Sequence, residues 1–271
     1  MLLIVYIAAA IILAGITVFF INTVALNLIW LLPLLTLGYT LLFLLLHGLI
    51  LVLSVIFVNT EKEVKGSGRL YRKFITATLG LLFFALNIHI HATGTEKVPK
   101  NTRFLIVSNH TYDFDPAVFL YILKNSDLAF IGKKEIYSDM IFISKVMHRL
   151  HCLPIDRENN RKAVVTINKA ADLIKNDTAS VAIFPEGYVS LTGELLPFRN
   201  GAFKIAKKAS CPVVIATLTN TKIILKNLFR RHTDIYFDIL EVINADDVKA
   251  LTTAEIGERT YELIDKNMRR K

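Results

Sequence analysis

The segment 108–116 contains a histidine and a carboxylate five positions apart, His110 and Asp115. A turn can fold the chain back so that Asp115 meets one imidazole nitrogen and fixes the tautomer of His110. The other ring nitrogen is then free to accept a proton from an alcohol, and an alcohol so activated can attack a thioester carbonyl. The pair therefore predicts acyl transfer in which the acceptor is itself the nucleophile.

Two other interpretations of this spacing stay open. Asp115 is followed by Pro116, and a polar cap followed by proline is a favourable helix start, so Asp115 could simply cap a helix. Asp113 could instead join His110 and Asp115 as a metal cluster, although two of the three ligands would then be squeezed into one turn. The spacing by itself does not decide between these interpretations.

Short apolar runs and amphipathic patterns alternate from residue 101 onward. Buried strands are predicted at 104–108, 128–131, 150–155, 181–184 and 213–217. Helices are predicted at 116–123, 141–149, 161–175 and 201–208. Such alternation indicates βαβ connections, so we expect an α/β fold with a largely parallel sheet flanked by helices. In such sheets the reactive groups gather at the carboxyl ends of strands, where His110 falls.

The two ends of this region carry weaker signals. The segment 234–243 partly alternates polar and apolar residues, which predicts a half-covered edge strand. Thr252 with Glu255 resembles a capping box that opens a final helix. His89 and His91 alternate, so we expect them on one face of a short solvated or interfacial strand rather than in a metal pair.

The first 60 residues contain no Asp, Glu, Lys or Arg. Two apolar runs, 2–21 and 31–58, are each long enough to cross a bilayer, which takes roughly 20 residues. Asn22, Thr23 and Asn27 predict a polar turn between them. The runs therefore form two spans or a hairpin that dips into one leaflet. A cleaved signal peptide is disfavoured because no positively charged segment precedes the first run.

A basic segment follows the second run and predicts orientation. Basic residues close to a span stay cytoplasmic, which places the globular part on the cytoplasmic face of the cell membrane. The residues concerned are Lys62, Lys65, Arg69, Arg72 and Lys73. The apolar run 74–86 is too short for a span and predicts an interfacial helix. We therefore divide the chain into a membrane hairpin (1–60), a juxtamembrane segment (61–88) and a catalytic domain (89–271).

The charge balance points to anionic partners. With 32 basic and 23 acidic residues, the chain suits a membrane surface, a phosphorylated lipid and an acidic acyl carrier or coenzyme A. No nucleic-acid module is recognisable, so no nucleic-acid partner is expected. Cys152 and Cys211 give no disulfide framework and are expected to be ordinary core residues.

Three further segments follow 108–116 in order, each beside a predicted strand: 151–157, 184–190 and 208–214. The set resembles the four motifs of the glycerolipid acyltransferases, specifically the bacterial 1-acylglycerol-3-phosphate acyltransferases. The first motif is matched by Asn109-His110 with Asp115 and the third by Phe184-Pro185-Glu186-Gly187. The segment 197–202 is also similar to the family's sequence at this place.

The resemblance implies a role for each matched residue. His110 is the expected general base and Asp115 its orienting partner. Arg157 is expected to bind the acceptor's phosphate, which suits a permanently charged planar group. Asn109, Glu186 and Gly187 complete the expected acceptor site. The donor would be acyl carrier protein or acyl-coenzyme A, the acceptor a lysophospholipid in the bilayer, and no metal or organic cofactor is expected.

The chain departs from the family pattern after Gly187. The family commonly continues with threonine, arginine and serine, whereas this chain has Tyr188, Val189 and Ser190. The missing basic residue predicts substitution by another cation, from the set Arg199, Lys204, Lys133 and Lys134, of which Arg199 and Lys133 are included in the predicted site. The departure also leaves open another lysolipid acceptor, such as lysophosphatidylglycerol, a lyso-ornithine lipid or a glycolipid. A non-catalytic lipid-binding scaffold is the third alternative.

Overall fold

The computed structural model describes residues 2–22, 29–64, 68–190, 193–227 and 232–270. They fall into two compact units, Met1–Asn59 and Thr60–Lys271. Thr23 and Asn27 of the predicted polar turn, and Lys65 of the basic segment, lie outside the described residues.

The first unit contains helix α1 (Leu2–Asn22) and helix α2 (Leu32–Ile56), the latter preceded by a 3-10 turn at Ile29–Leu31. Both helices are long and apolar enough to cross a membrane, judged by length and composition. This suggests that the chain is associated with a membrane.

Small side chains and two hydrogen bonds pack helices α1 and α2 against each other. Ala10 and Ala14, one turn apart on α1, are fully buried and allow close approach to α2. Two interhelical hydrogen bonds of 2.8 and 2.9 Å join Tyr6 to His47 and Thr17 to Tyr39. The pairing of early α1 with late α2 shows that the helices run antiparallel.

The second unit is built on a mixed sheet of seven strands in the described part of the chain. The strands are β1 (Ile88–Thr93), β2 (Leu105–Ser108), β3 (Leu128–Lys133), β4 (Leu153–Ile155), β5 (Ser180–Ile183), β6 (Val213–Thr219) and β7 (Thr233–Ile243). Their order is β1-β7-β6-β2-β5-β3-β4, and every pair is parallel except β6 with β7. The predicted α/β fold with a largely parallel sheet is confirmed.

The helices of this unit are α3 (Arg69–Ala85), α4 (Asp115–Ile122), α5 (Lys134–Asp139), α6 (Ile141–Arg149), α7 (Asn160–Lys175), α8 (Lys204–Ala209), α9 (Ala245–Ala250) and α10 (Thr253–Met268). One core lies between a face of the sheet and α7, α8 and α10. On the other face, Phe119 of α4 meets the ring edges of Phe130, Phe184 and Phe237. The Thr252–Glu255 capping box is present as predicted.

Two element boundaries and the position of one strand in the sheet differ from the prediction. Leu150 and His151 belong to the turn that ends α6, where His151 has a φ of 63°, so β4 is shorter than expected. The helix predicted at 201–208 begins as a 3-10 turn before α8. The prediction of an edge strand at 234–243 is wrong, because β1 pairs with β7 along its outer side and takes the edge itself.

Arg72 of the basic segment is buried in the second unit. It is only 5% exposed, and its guanidinium donates to the carbonyls of Leu128 (2.6 Å) and Leu150 (2.8 Å). Burial lowers the pKa of Arg72, and neighbouring Asp127 opposes that shift. The side chain therefore fastens α3 to the start of β3 and the end of α6.

We expect Arg72→Leu to lower the free energy of unfolding by about 3 kcal/mol, because it leaves two buried carbonyls without a donor. Arg69→Leu is the matched control. Its side chain is 69% exposed and 3.8 Å from Asp127, so the expected loss is below about 1 kcal/mol. Chemical denaturation of the full chain in detergent measures both, and equal losses would contradict the role given to Arg72.

Candidate active site

The structure brings His110 and Asp115 together at the carboxyl end of β2. The imidazole Nδ1 lies 2.9 Å from Asp115 Oδ2, with Asp115 fully buried and His110 9% exposed. The same carboxylate oxygen accepts the backbone N–H groups of Thr111 (2.7 Å) and Tyr112 (2.9 Å). The loop therefore folds back around the carboxylate, which holds the Nδ1 side of the ring.

The two alternatives for this loop do not fit the geometry. Phe114 occupies the N-cap position of α4, and the carboxylate of Asp115 bonds N–H groups upstream of the helix rather than within it. Asp115 is therefore not a simple cap. Asp113 is exposed, and among the described residues no group of three or more His, Cys, Asp or Glu is arranged to hold a metal ion.

A threonine from a distant part of the chain completes the carboxylate's partners. Thr221, in the 3-10 turn after β6, donates its hydroxyl to Asp115 Oδ1 across 106 positions of sequence. Its oxygen also lies 2.7 Å from the hydroxyl of Thr111. Sequence reasoning missed Thr221, because a single threonine after a strand carries no recognisable signal.

Phe184 and Glu186, which follow β5, support the histidine. The His110 ring stacks on Phe184 with centroids 4.3 Å apart and planes at 7°. Glu186 accepts the N–H of His110 (2.6 Å) on one oxygen and that of Leu196 (2.8 Å) on the other. Burial raises the pKa of Glu186, while these two N–H donors oppose the rise. Both oxygens are thus engaged in holding the His110 loop and the segment at 196 in place.

Asn109, which is expected to contribute to the acceptor site, makes a paired contact with β6. It is buried, its side-chain amide N–H donates to the carbonyl of Leu218 (2.8 Å), and its side-chain carbonyl accepts the N–H of Leu218 (2.9 Å). This contact joins the end of β2 to β6 and so holds the residue before His110 in place.

Arg157 and Arg199 line one cavity of about 410 Å³, whose wall includes Phe184. Their guanidinium carbons lie 5.2 and 5.5 Å from the centroid of the Tyr188 ring, and Arg199 donates to the carbonyl of Arg157 (3.0 Å). Burial lowers the pKa of Arg157, an effect opposed by Tyr188 and reinforced by Arg199. The guanidinium groups of Arg157 and Arg199 therefore line the same cavity as Phe184, the ring on which His110 stacks.

Gly187 makes this arrangement possible. Its φ is 77°, which favours glycine, and a Cβ there would lie 3.2 Å from Nε of Arg199. Within the described part of the chain Arg157 makes no ion pair with its neighbours Asp156 and Glu158, and Asp156 pairs with Lys134 instead.

The predicted lysines do not reach this cavity. Lys133 is exposed at the end of β3 and is not part of the cavity wall, and Lys134 pairs with Asp156 at 2.9 Å. Of the proposed substitutes for the missing cation, Arg199 is the one that joins Arg157. Cys152 and Cys211 are free and buried, and burial raises their pKa to about 11 and about 12, as befits core residues.

Comparison with known proteins places the described site within one family. The model of the family described as Acyltransferase matches residues 89–218. This segment, a little under half of the chain, is therefore similar to the acyltransferase family. The predicted resemblance is confirmed, and every residue predicted for the site lies inside the matched segment.

Curated proteins that are similar to this chain carry a common description. The chain is 28% identical over 153 residues to a probable 1-acyl-sn-glycerol-3-phosphate acyltransferase of Mycoplasma pneumoniae, covering 55% of this chain and 56% of that one. It is 24% identical over 212 residues to the 1-acyl-sn-glycerol-3-phosphate acyltransferase of Streptococcus pneumoniae, covering 76% and 77%. The match to the Mycoplasma relative thus spans little more than half of that protein.

A solved structure shares the fold. The crystal structure of the 1-acyl-sn-glycerophosphate (LPA) acyltransferase PlsC from Thermotoga maritima superimposes with a TM-score of 0.62 at 22% identity, covering 82% of this chain and 87% of that one. This chain therefore has the fold of that protein.

We expect Thr221→Val to lower the turnover of this acyltransferase by roughly 10–100-fold, because a hydrogen bond to a charged group contributes about 1.5–3 kcal/mol. Thr260→Val is the matched control: it is another buried threonine, which bonds only the carbonyl of Ile256 on α10. Steady-state assays in detergent compare the two. Unchanged turnover in Thr221→Val would show that Asp115 does not depend on this donor.

Proposed function

We propose that this chain transfers a fatty acyl group from acyl carrier protein or acyl-coenzyme A to the sn-2 hydroxyl of 1-acylglycerol 3-phosphate, giving phosphatidate. The observation that carries the proposal is the His110–Asp115 pair beside a cavity that holds Arg157 and Arg199. The Mycoplasma and Streptococcus relatives are both described as 1-acyl-sn-glycerol-3-phosphate acyltransferases, which supports 1-acylglycerol 3-phosphate as the acceptor.

The chemistry needs one base and no enzyme nucleophile. Asp115 holds Nδ1 of His110, so Nε2 takes the proton of the acceptor hydroxyl while that oxygen bonds to the thioester carbonyl carbon. The tetrahedral intermediate then collapses, the carbon–sulfur bond breaks, and the leaving thiolate takes the proton back from Nε2. The products are the ester and the free thiol, and His110 returns to its neutral state.

Arg157 and Arg199 supply the contacts that distinguish the acceptor. A phosphomonoester carries close to two negative charges, and paired guanidinium groups bind such an anion with several charge-assisted hydrogen bonds. Their shared neighbour Tyr188 fixes both cations on one side of the cavity. Binding there leaves the glycerol hydroxyl beside Phe184 and the histidine stacked on it.

A lipid substrate and a lipid product explain the membrane-type helices of the first unit, since both lipids partition into the bilayer. Lys62, Arg69 and Lys73 follow α2, and the positive-inside rule puts the catalytic domain on the cytoplasmic face of the cell membrane. Donor thioesters are made in the cytoplasm, so this orientation gives both substrates access. The scheme requires no metal or organic cofactor.

Tyr188 favours a second candidate, an acyltransferase for another lysolipid. Its half-exposed ring stands where the family pattern has a small residue followed by arginine, and the ring centroid lies 5.2 and 5.5 Å from the guanidinium carbons of Arg157 and Arg199. Lysophosphatidylglycerol, a lyso-ornithine lipid or a glycolipid would use the same His110 chemistry with a different head group.

We expect His110→Ala to lower acyl transfer to 1-oleoylglycerol 3-phosphate by about 10²–10⁴-fold, the usual contribution of a general base. His89→Ala, an exposed histidine on β1, should retain full activity. Purified full-length variants in mixed micelles, matched for thermal stability, give the comparison. Near-normal turnover by folded His110→Ala would refute the mechanism.

A parallel assay with lysophosphatidylglycerol and a lysoglycolipid tests the acceptor. Transfer confined to the phosphomonoester upholds 1-acylglycerol 3-phosphate, whereas transfer confined to another acceptor keeps the chemistry and changes the substrate. A wild type that transfers to none of them would favour the non-catalytic lipid-binding scaffold.

A further inference from the structure

A second cavity, of about 590 Å³, lies on the other side of the strand that leads to His110. Its wall includes Thr219 at the end of β6 and Tyr236 of β7, whereas the arginine cavity is lined from β3, β4 and β5 and shares no wall residue with it. In the sheet order β6-β2-β5, the strand that carries His110 lies between the two sides. The loop that carries His110 therefore lies between the arginine cavity and the second cavity.

Two wall residues of the second cavity are bonded directly to the catalytic pair. Thr111 donates its N–H to Asp115 (2.7 Å), and Ser190 donates its N–H to the carbonyl of His110 (3.1 Å). The cavity therefore reaches residues that are in direct contact with His110 and Asp115.

The walls of this cavity combine two kinds of side chain. Lys222 supplies an exposed cation at its edge. Ile223, Tyr236 and Met268 supply apolar and aromatic surface. Such walls suit a ligand that carries both an apolar chain and a phosphate.

We propose that the second cavity binds the acyl donor as a phosphopantetheine thioester, with the donor phosphate at Lys222 and the thioester beside Thr111. This rests on the proposed function, since direct transfer requires the acceptor hydroxyl and the donor carbonyl to meet at one base. The paired arginines suit the doubly charged phosphate of the acceptor, which leaves the single cation for the singly charged phosphodiester of the donor.

The kinetic test uses Lys222→Ala in the full chain. We expect the KM for the donor to rise roughly 5–20-fold, while kcat and the KM for the acceptor stay within twofold, because the proposed contact is to the donor phosphate and not to the acceptor or the reacting atoms. Lys222→Arg should restore most of the donor KM. Lys226→Ala, an exposed lysine outside the cavity wall, is the matched control. An unchanged donor KM, or an equal rise in the acceptor KM, would overturn the assignment.

Two donors distinguish the source of the phosphate. A rise in KM with both acyl-coenzyme A and acyl carrier protein supports binding of their shared pantetheine phosphate. A rise with acyl-coenzyme A alone overturns that contact and places the nucleotide phosphates at Lys222 instead.

A binding test separates this inference from the proposed function. Because both native thiols are buried, a fluorophore on Met268→Cys is selective, and Lys175→Cys at the far end of α7 is the control position. Acyl-coenzyme A without acceptor should change the fluorescence at 268 saturably and leave that at 175 unchanged. Binding without phosphatidate formation would uphold the cavity and reject the proposed reaction. Phosphatidate formation without a response at 268 would reject the donor site alone.

Discussion

The catalytic end of the sheet depends on one buried carboxylate. An ionised carboxyl group in an apolar interior is costly unless donors surround it, and Asp115 is fully buried. Its donors come from the imidazole, two backbone N–H groups of its own loop and the hydroxyl of Thr221. Satisfying this one group therefore determines the path of the loop, the orientation of His110 and the position of the turn after β6.

Neighbouring strands hold that loop from both sides. On the β6 side, Asn109 exchanges two hydrogen bonds with Leu218, and on the β5 side Glu186 accepts the N–H of His110 while Phe184 lies beneath the ring. The carboxylate of Glu186 and the amide of Asn109 thus both engage the backbone around His110. The cations that line the neighbouring cavity come from other parts of the chain, and Arg199 follows Gly187 by more than ten positions.

Sequence patterns predicted what depends on local periodicity. The amphipathic face of α7, the Thr252–Glu255 box and the buried strands follow from the order of side chains along each element. They could not reveal pairings between distant segments. The place of β7 inside the sheet depends on β1, the use of Arg72 depends on the carbonyls that packing brings to it, and Thr221 becomes a donor only because β6 lies beside β2.

The turn after β6 places Thr221 and Lys222 next to each other, one bonded to Asp115 and the other at the edge of the second cavity. A ligand that binds Lys222 would therefore contact the same short piece of backbone that holds Thr221 against Asp115. Coupling between two sites is reciprocal, so if occupancy of the second cavity alters the orientation of His110, the state of His110 alters the affinity of that cavity by the same free energy.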